Sequence, residues 1–189
     1  MRVFVALNLP EETREALWRA AAPLRELDLP VKWVGTEGLH VTLKFLGQVD
    51  DRRDAELRAA LGQAAAGGLA APHPLTLVLR DFGAFPDPRR PRVLWAGIDP
   101  DPALELLQHR VERTFEPLGF PTEARPFRPH LTLGRVARDA RAAELRPAEP
   151  LLASLSHEAT IVVETLDLMQ STLHPRGAVY RVVHRERLS

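Results

Sequence analysis

The 189-residue chain contains no cysteine. Disulfides and thiolate metal sites are therefore excluded, and the composition fits a reducing compartment. Net charge is missing too, since 25 Lys and Arg balance 25 Asp and Glu. A chain without excess charge has no global field for coating duplex nucleic acid, although local basic clusters remain open. Lys32 and Lys44 are the only lysines, so arginine carries nearly all the positive charge. No apolar run is long enough to span a membrane. The apolar stretch in Met1 to Pro10 is too short for a signal peptide, and Glu11 and Glu12 follow at once. These absences point to a cytoplasmic globular chain, large enough for one domain or two small lobes around a shared core.

What is present is a short stretch used twice. His40-Val41-Thr42-Leu43 returns as His130-Leu131-Thr132-Leu133. Side chains alternate along a β-strand, so His and Thr point one way while Val41 and Leu43, or Leu131 and Leu133, point into a core. The offset of 90 residues extends without a gap to Arg2-Val3 on Arg92-Val93, Ala6 on Ala96, Pro10 on Pro100, Glu15 on Glu105, and Leu17 on Leu107. The order reads as an internal duplication of strand, helix, turn and motif strand. Two copies are too few for a solenoid, so residues 1–189 are expected to form a single domain of two duplicated lobes. The motif strands are placed at 39–46 and 129–136.

Taken in order, Arg2 to Asn8 predicts a buried strand, and Pro10 opens a helix with a stripe at Leu17, Ala21 and Leu24. Val31 to Val34 is a brief strand. Asp50 or Asp51 caps a second helix with Leu57, Leu61 and Ala64 inward, stopped by Gly67-Gly68. Pro74 to Arg80 is a strand, and Phe85 to Pro91 a loop rich in Pro and Arg. Asp101-Pro102 starts a helix whose stripe is Leu104, Leu107, Val111 and Phe115. A short helical piece lies near Asp139 to Leu145. One strand, with a bulge, spans Ala159 to Gln170, and another spans Ala178 to Arg187 after the turn His174-Pro175-Arg176-Gly177.

Two imidazoles suit one base and one acid in a single displacement, because histidine titrates near neutral pH. Attack on phosphorus fits, with His40 and His130 as the catalytic pair. The hydroxyls of Thr42 and Thr132 suit non-bridging oxygens, and Lys44 and Arg135 suit the charge that builds in the transition state. Lys44, two residues beyond Thr42, is expected on its face. Arg135, three beyond Thr132, needs Gly134 to kink the strand. No metal is expected, because His-x-Thr supplies one ligand per strand and neither motif holds a carboxylate. No cofactor is implied. The other histidines (His73, His109, His157, His174 and His184) read as ordinary surface or core residues.

These residues resemble the 2H phosphoesterases, named for two His-x-Thr/Ser motifs. Within them the chain is similar to the RNA 2′,3′-cyclic phosphodiesterases, the LigT-like or 2′-5′ RNA ligase proteins. The resemblance rests on Trp33, on Leu39 to Gly47, on Arg92 to Gly97 and on Phe127 to Arg135. Ser171, Leu173, Gly177 and Tyr180 match a closing segment. It implies a bilobal α+β fold with a pseudo-twofold, two antiparallel sheets around a central cleft and helices outside. It further implies metal-free opening of 2′,3′-cyclic phosphate RNA ends to 2′-phosphomonoesters. His40 would give the proton to the departing 3′ oxygen and His130 would activate water, roles that the repeat by itself does not assign.

The implied partners are RNA ends, with tRNA fragments and cyclic nucleotides as candidates. Phe127 either stacks on a base or belongs to the core. Arg89, Arg90, Arg125 and Arg128 either guide the RNA backbone or are simply solvated. Trp33, Phe45 and Trp95 are expected to pack the sheets. With no apolar patch evident, a monomer is expected. The rival readings are a 2′-5′ RNA ligase acting mainly in the joining direction and a non-catalytic nucleotide- or RNA-end-binding module.

Overall fold

A computed structural model describes residues 1–66, 74–174 and 177–189. The first part of the chain forms β1 (Arg2–Asn8), α1 (Glu11–Ala20), α2 (Ala22–Arg25), β2 (Val31–Trp33), β3 (His40–Gln48) and α3 (Asp54–Ala65). Then come β4 (Leu75–Phe85), β5 (Val93–Ile98), α4 (Pro102–Phe115) and β6 (His130–Val136). The remainder is α5 (Ala142–Leu145), α6 (Ala148–Ser154), β7 (Glu158–Val163), β8 (Thr165–His174) and β9 (Gly177–Arg187). The helix stop at Gly67-Gly68 and the Pro175-Arg176 part of the last turn lie outside the described residues.

Local rules explain most of these elements. Asp101 accepts a bond from the Leu104 amide at 2.9 Å and Pro102 fills the first turn of α4. Asp50 accepts from the Arg52 amide at 2.9 Å and caps a 3₁₀ turn leading into α3. The helix stripes at Leu17 and Leu24, at Leu57 and Leu61, and at Leu104, Leu107, Val111 and Phe115 are buried in one core. In β1, Val3, Val5 and Leu7 enter that core, while Phe4 and Ala6 face the opposite way with Met169 and Tyr180.

All the ladders are antiparallel, and the path reads β7-β4-β5-β6-β3-β1-β8-β9, with β2 added to β6. Reversed, this order exchanges β6 with β3, β5 with β1, β4 with β8 and β7 with β9. Each half is a four-stranded ladder, and the two meet at a single residue pair, Val41 with Leu131. The expected two sheets are thus two arms of one continuous path.

Three sequence expectations change. The strand expected over Ala159 to Gln170 is two strands: β7 edges one arm, and after Glu164 the chain crosses so that β8 lies beside β1 in the other. β4 continues to Phe85, five residues past its expected end, because Phe82 to Phe85 pair with Ala96 to Val93. The helical piece near 139–145 shortens to α5, and α6 follows it with Leu152 buried.

Candidate active site

The motif strands run side by side at the join of the two arms. Their antiparallel pair at Val41 and Leu131 turns His40 toward Thr132 and Thr42 toward His130. Val41, Leu43, Leu131 and Leu133 are buried in the core, as alternation requires. The two histidines and two threonines line one cleft of about 1220 Å³.

Both strands bulge one residue past their threonine. On β3, Thr42 pairs with Ala6 and Lys44 with Val5, so Leu43 has no partner on β1. On β6, Thr132 pairs with Trp95 and Gly134 with Leu94, so Leu133 is skipped in the same way. Parity therefore reverses beyond each bulge. Arg135 lines the cleft with His130 and Thr132, as a kink at Gly134 would require. The glycine is also needed for space, since a methyl there would lie 2.5 Å from Val31 Cγ1 on β2.

Lys44 departs from expectation. The bulge carries it to the side of Val5 and Leu43, away from the Thr42 face. Its side chain is buried, and the ammonium is paired with Glu112 and donates to the Pro121 carbonyl at 2.8 Å. Phe45 takes the cleft face instead and is 65% exposed, so it does not pack the sheets. Phe127 packs against the core and also lines the cleft. Arg125 and Arg128 line the cleft, whereas Arg89 and Arg90 line a separate depression beside Phe82 and Leu152.

The two imidazoles have different surroundings. His130 Nδ1 lies 2.7 Å from the Arg128 carbonyl. A carbonyl only accepts, so Nδ1 carries the hydrogen and Nε2 keeps a lone pair. His40 Nδ1 is buried with no partner, and its ring lies 4.9 Å from both Phe4 and Tyr180. Burial, then the Arg135 guanidinium, then His130 lower the His40 pKa from 6.5 to about 4. The pKa of His130 is lowered chiefly by burial and also by Arg135, with its backbone bond opposing. Both shifts favour the neutral rings at neutral pH.

Sequence reasoning missed the aromatic packing around the pair: Phe4 and Tyr180 on His40, and Phe85 edge-on to His130 at 5.0 Å. The run Val-Phe-Val-Ala-Leu in β1 is apolar at every position, so alternation cannot mark its cleft face. Tyr180 is the chain's single tyrosine and alternates with neighbours Val179 and Arg181, a weak signal that was available. Among the described residues no group of three His, Cys, Asp or Glu is placed to hold a metal ion.

Comparison with known proteins agrees with this arrangement. A family model described as the 2′-5′ RNA ligase superfamily matches residues 13–174. An RNA 2′,3′-cyclic phosphodiesterase of Thermus thermophilus is 36% identical, covering 98% of this chain and 89% of its own length. One from Archaeoglobus fulgidus is 33% identical, with 96% and 97% covered. Among solved structures, TT0787 of Thermus thermophilus superposes with a TM-score of 0.78 at 30% identity, covering 100% of this chain and 98% of that one. LigT of E. coli complexed with 3′-AMP gives 0.73 at 25% identity, covering 100% and 98%.

Proposed function

Because the chain belongs to the 2′-5′ RNA ligase superfamily, the 2H phosphoesterases, we propose that it hydrolyses 2′,3′-cyclic phosphates at RNA and nucleoside ends to 2′-phosphomonoesters. The observation that carries this reading is the unequal histidine pair at the join of the two arms. His130 is held with its Nε2 lone pair available by the Arg128 carbonyl. That nitrogen takes a proton from water as the water oxygen bonds to phosphorus. The bond from phosphorus to O3′ breaks, and His40 gives its proton to O3′. The product keeps the phosphate on O2′. Thr42 and Thr132 donate to the non-bridging oxygens, and Arg135 offsets their growing charge. Phe127 flanks the base or the next nucleotide.

His40 must be protonated to act as the acid, yet burial and Arg135 favour its neutral form. The bound phosphodiester supplies the missing condition. Its negative charge opposes Arg135 and raises the His40 pKa, so protonation and substrate binding are coupled. The mechanism needs no metal or cofactor, and the whole chain works as one unit whose two arms join at the motif strands. Free cyclic nucleotides and cyclic-phosphate fragments of tRNA are the substrates this cleft suits. The protein acts as a cytoplasmic monomer; the absence of cysteine supports the compartment.

The test uses adenosine 2′,3′-cyclic phosphate with EDTA present. Wild type should release the 2′-monophosphate. His40→Ala and His130→Ala should each lose about 10²–10⁴-fold in kcat while remaining folded. A 3′-monophosphate product, turnover abolished by EDTA, or full activity in either variant overturns the assignment.

A further inference from the structure

Among the described residues only three polar or charged side chains are buried: Lys44, Glu112 and Asp167. Asp167 is paired with Arg185, at 2.8 Å to each oxygen, accepts from Asn8, and does not line the cleft. Lys44 and Glu112 are different. Both reach the lining of the cleft and meet there as an ion pair, Lys44 from β3 and Glu112 from α4. Together they bind a segment that has no regular structure of its own. Residues 121–129 connect a 3₁₀ turn to β6, and 121–126 are all exposed. Three of these nine residues are prolines, which cannot donate a backbone bond.

Every bond of the pair points toward that segment or steadies it. Lys44 Nζ donates to the Pro121 carbonyl at 2.8 Å. Glu112 Oε2 pairs with Lys44 and accepts from the Glu123 amide at 3.3 Å. Glu112 Oε1 accepts from Gln108 Nε2 at 3.2 Å, and the same Gln108 group reaches the Leu43 carbonyl at the bulge at 3.5 Å. The positive charge of Lys44 is cancelled inside the wall, so it adds no net attraction for phosphate. Downstream of the tether, the segment carries Arg125, Phe127 and Arg128 to the cleft.

We propose that Lys44 and Glu112 are positioning residues that fasten the 121–127 wall to β3 and so set the affinity for substrate without taking part in the chemistry. His40, His130 and both threonines sit on strands, and Arg128 is held separately through its carbonyl bond to His130. Releasing the tether therefore frees the wall and leaves the reacting groups in place. The inference rests on the cyclic phosphodiesterase reading for its kinetic consequence.

The experiment compares wild type with Glu112→Gln, Lys44→Met and the paired apolar variant Lys44→Met/Glu112→Leu. Removing both charges avoids an orphaned buried ion and keeps the fold, whatever the single variants do. Steady-state kinetics use adenosine 2′,3′-cyclic phosphate, and amide hydrogen exchange is read at Glu123. The expected result for each folded variant is KM raised about tenfold with kcat within about threefold of wild type. Exchange at Glu123 should accelerate roughly a hundredfold. A large fall in kcat at unchanged KM in Lys44→Met would place Lys44 in the chemistry and overturn the proposal. Unchanged KM and unchanged Glu123 exchange in the paired variant would overturn it as well. Wild type that turns over no cyclic phosphate would refute the enzymatic reading, while the exchange measurement would still decide the tether.

Discussion

The two histidines share a motif but not an environment, and the burial of His40 has consequences for stability and rate. In the folded chain His40 titrates at about 4, against 6.5 when unfolded. Between those values the unfolded state binds the proton more readily, so stability is present above pH 6.5 and is lost as pH falls toward 4. The loss from pH 7 to pH 5 should be about 2 kcal/mol, read from urea midpoints, and His40→Gln should remove it. An equal acid loss in the variant would mean that another group is responsible. The same depression predicts separate pH profiles. The alkaline limb of kcat/KM reports the free enzyme and should lie well below neutral pH, while that of kcat should sit higher because bound phosphate raises His40. Coincident limbs would argue against His40 as the acid. Arg135→Gln should raise the pKa of both histidines and lower kcat/KM by about 10²–10³-fold, as loss of a charge-stabilising donor does. The identity of these residues was legible in the sequence, but their environment was not. Phe4 and Tyr180 reach His40 from β1 and β9, at sequence separations that no local pattern encodes.

A strand's parity holds only while its ladder is regular. Counting by two from Thr42 puts Lys44 on the face of His40 and Thr42, and counting by three from Thr132 puts Arg135 off the face of His130 and Thr132. The structure reverses both, because Leu43 and Leu133 are bulged. The information needed was already in the repeat. An offset of 90 places Lys44 on Gly134 and Phe45 on Arg135, so a kink granted to one strand belongs to the other. Applied consistently, it would have turned Lys44 toward the core and exposed Phe45. The close approach of β2 behind Gly134 was not legible, because nothing in the Val31 to Trp33 stretch names β6 as its partner. Gly134→Ala tests that approach. Its methyl would meet Val31 Cγ1 at 2.5 Å and Trp33 Cε3 at 2.9 Å, so β2 must shift. A loss of about 1–3 kcal/mol in urea unfolding is expected, as for other overpacked sites. A neutral substitution would mean that β2 yields without cost.

The duplicated sequence suggests that each lobe is one copy, yet the strand order places the copies otherwise. Residues 1–89 contain β1 and β3 of one arm but also β4, which pairs with β5 and β7 of the other. The rest of the chain contains β8 and β9, which complete the first arm beside β1. This crossing was not visible in the sequence. Ala159 to Gln170 has strand character throughout, and the passage between arms at Glu164 leaves no mark on composition. Neither copy holds a complete ladder, and one core cluster runs through both. Cutting the chain in the exposed Arg89-Arg90 loop should therefore give two fragments that lack cooperative unfolding alone. Mixed at equal concentration, they should recover the β-sheet circular dichroism and the turnover of cyclic phosphate, because β4 and β1 each find their partners across the cut. Recovery should follow the fragment concentration, since the unfolded pieces bind and fold together. If residues 90–189 alone showed a sharp thermal transition, β5 to β9 would be self-sufficient. The pairings of β4 with β5 and β7, and of β1 with β8, would then not be what holds the fold together.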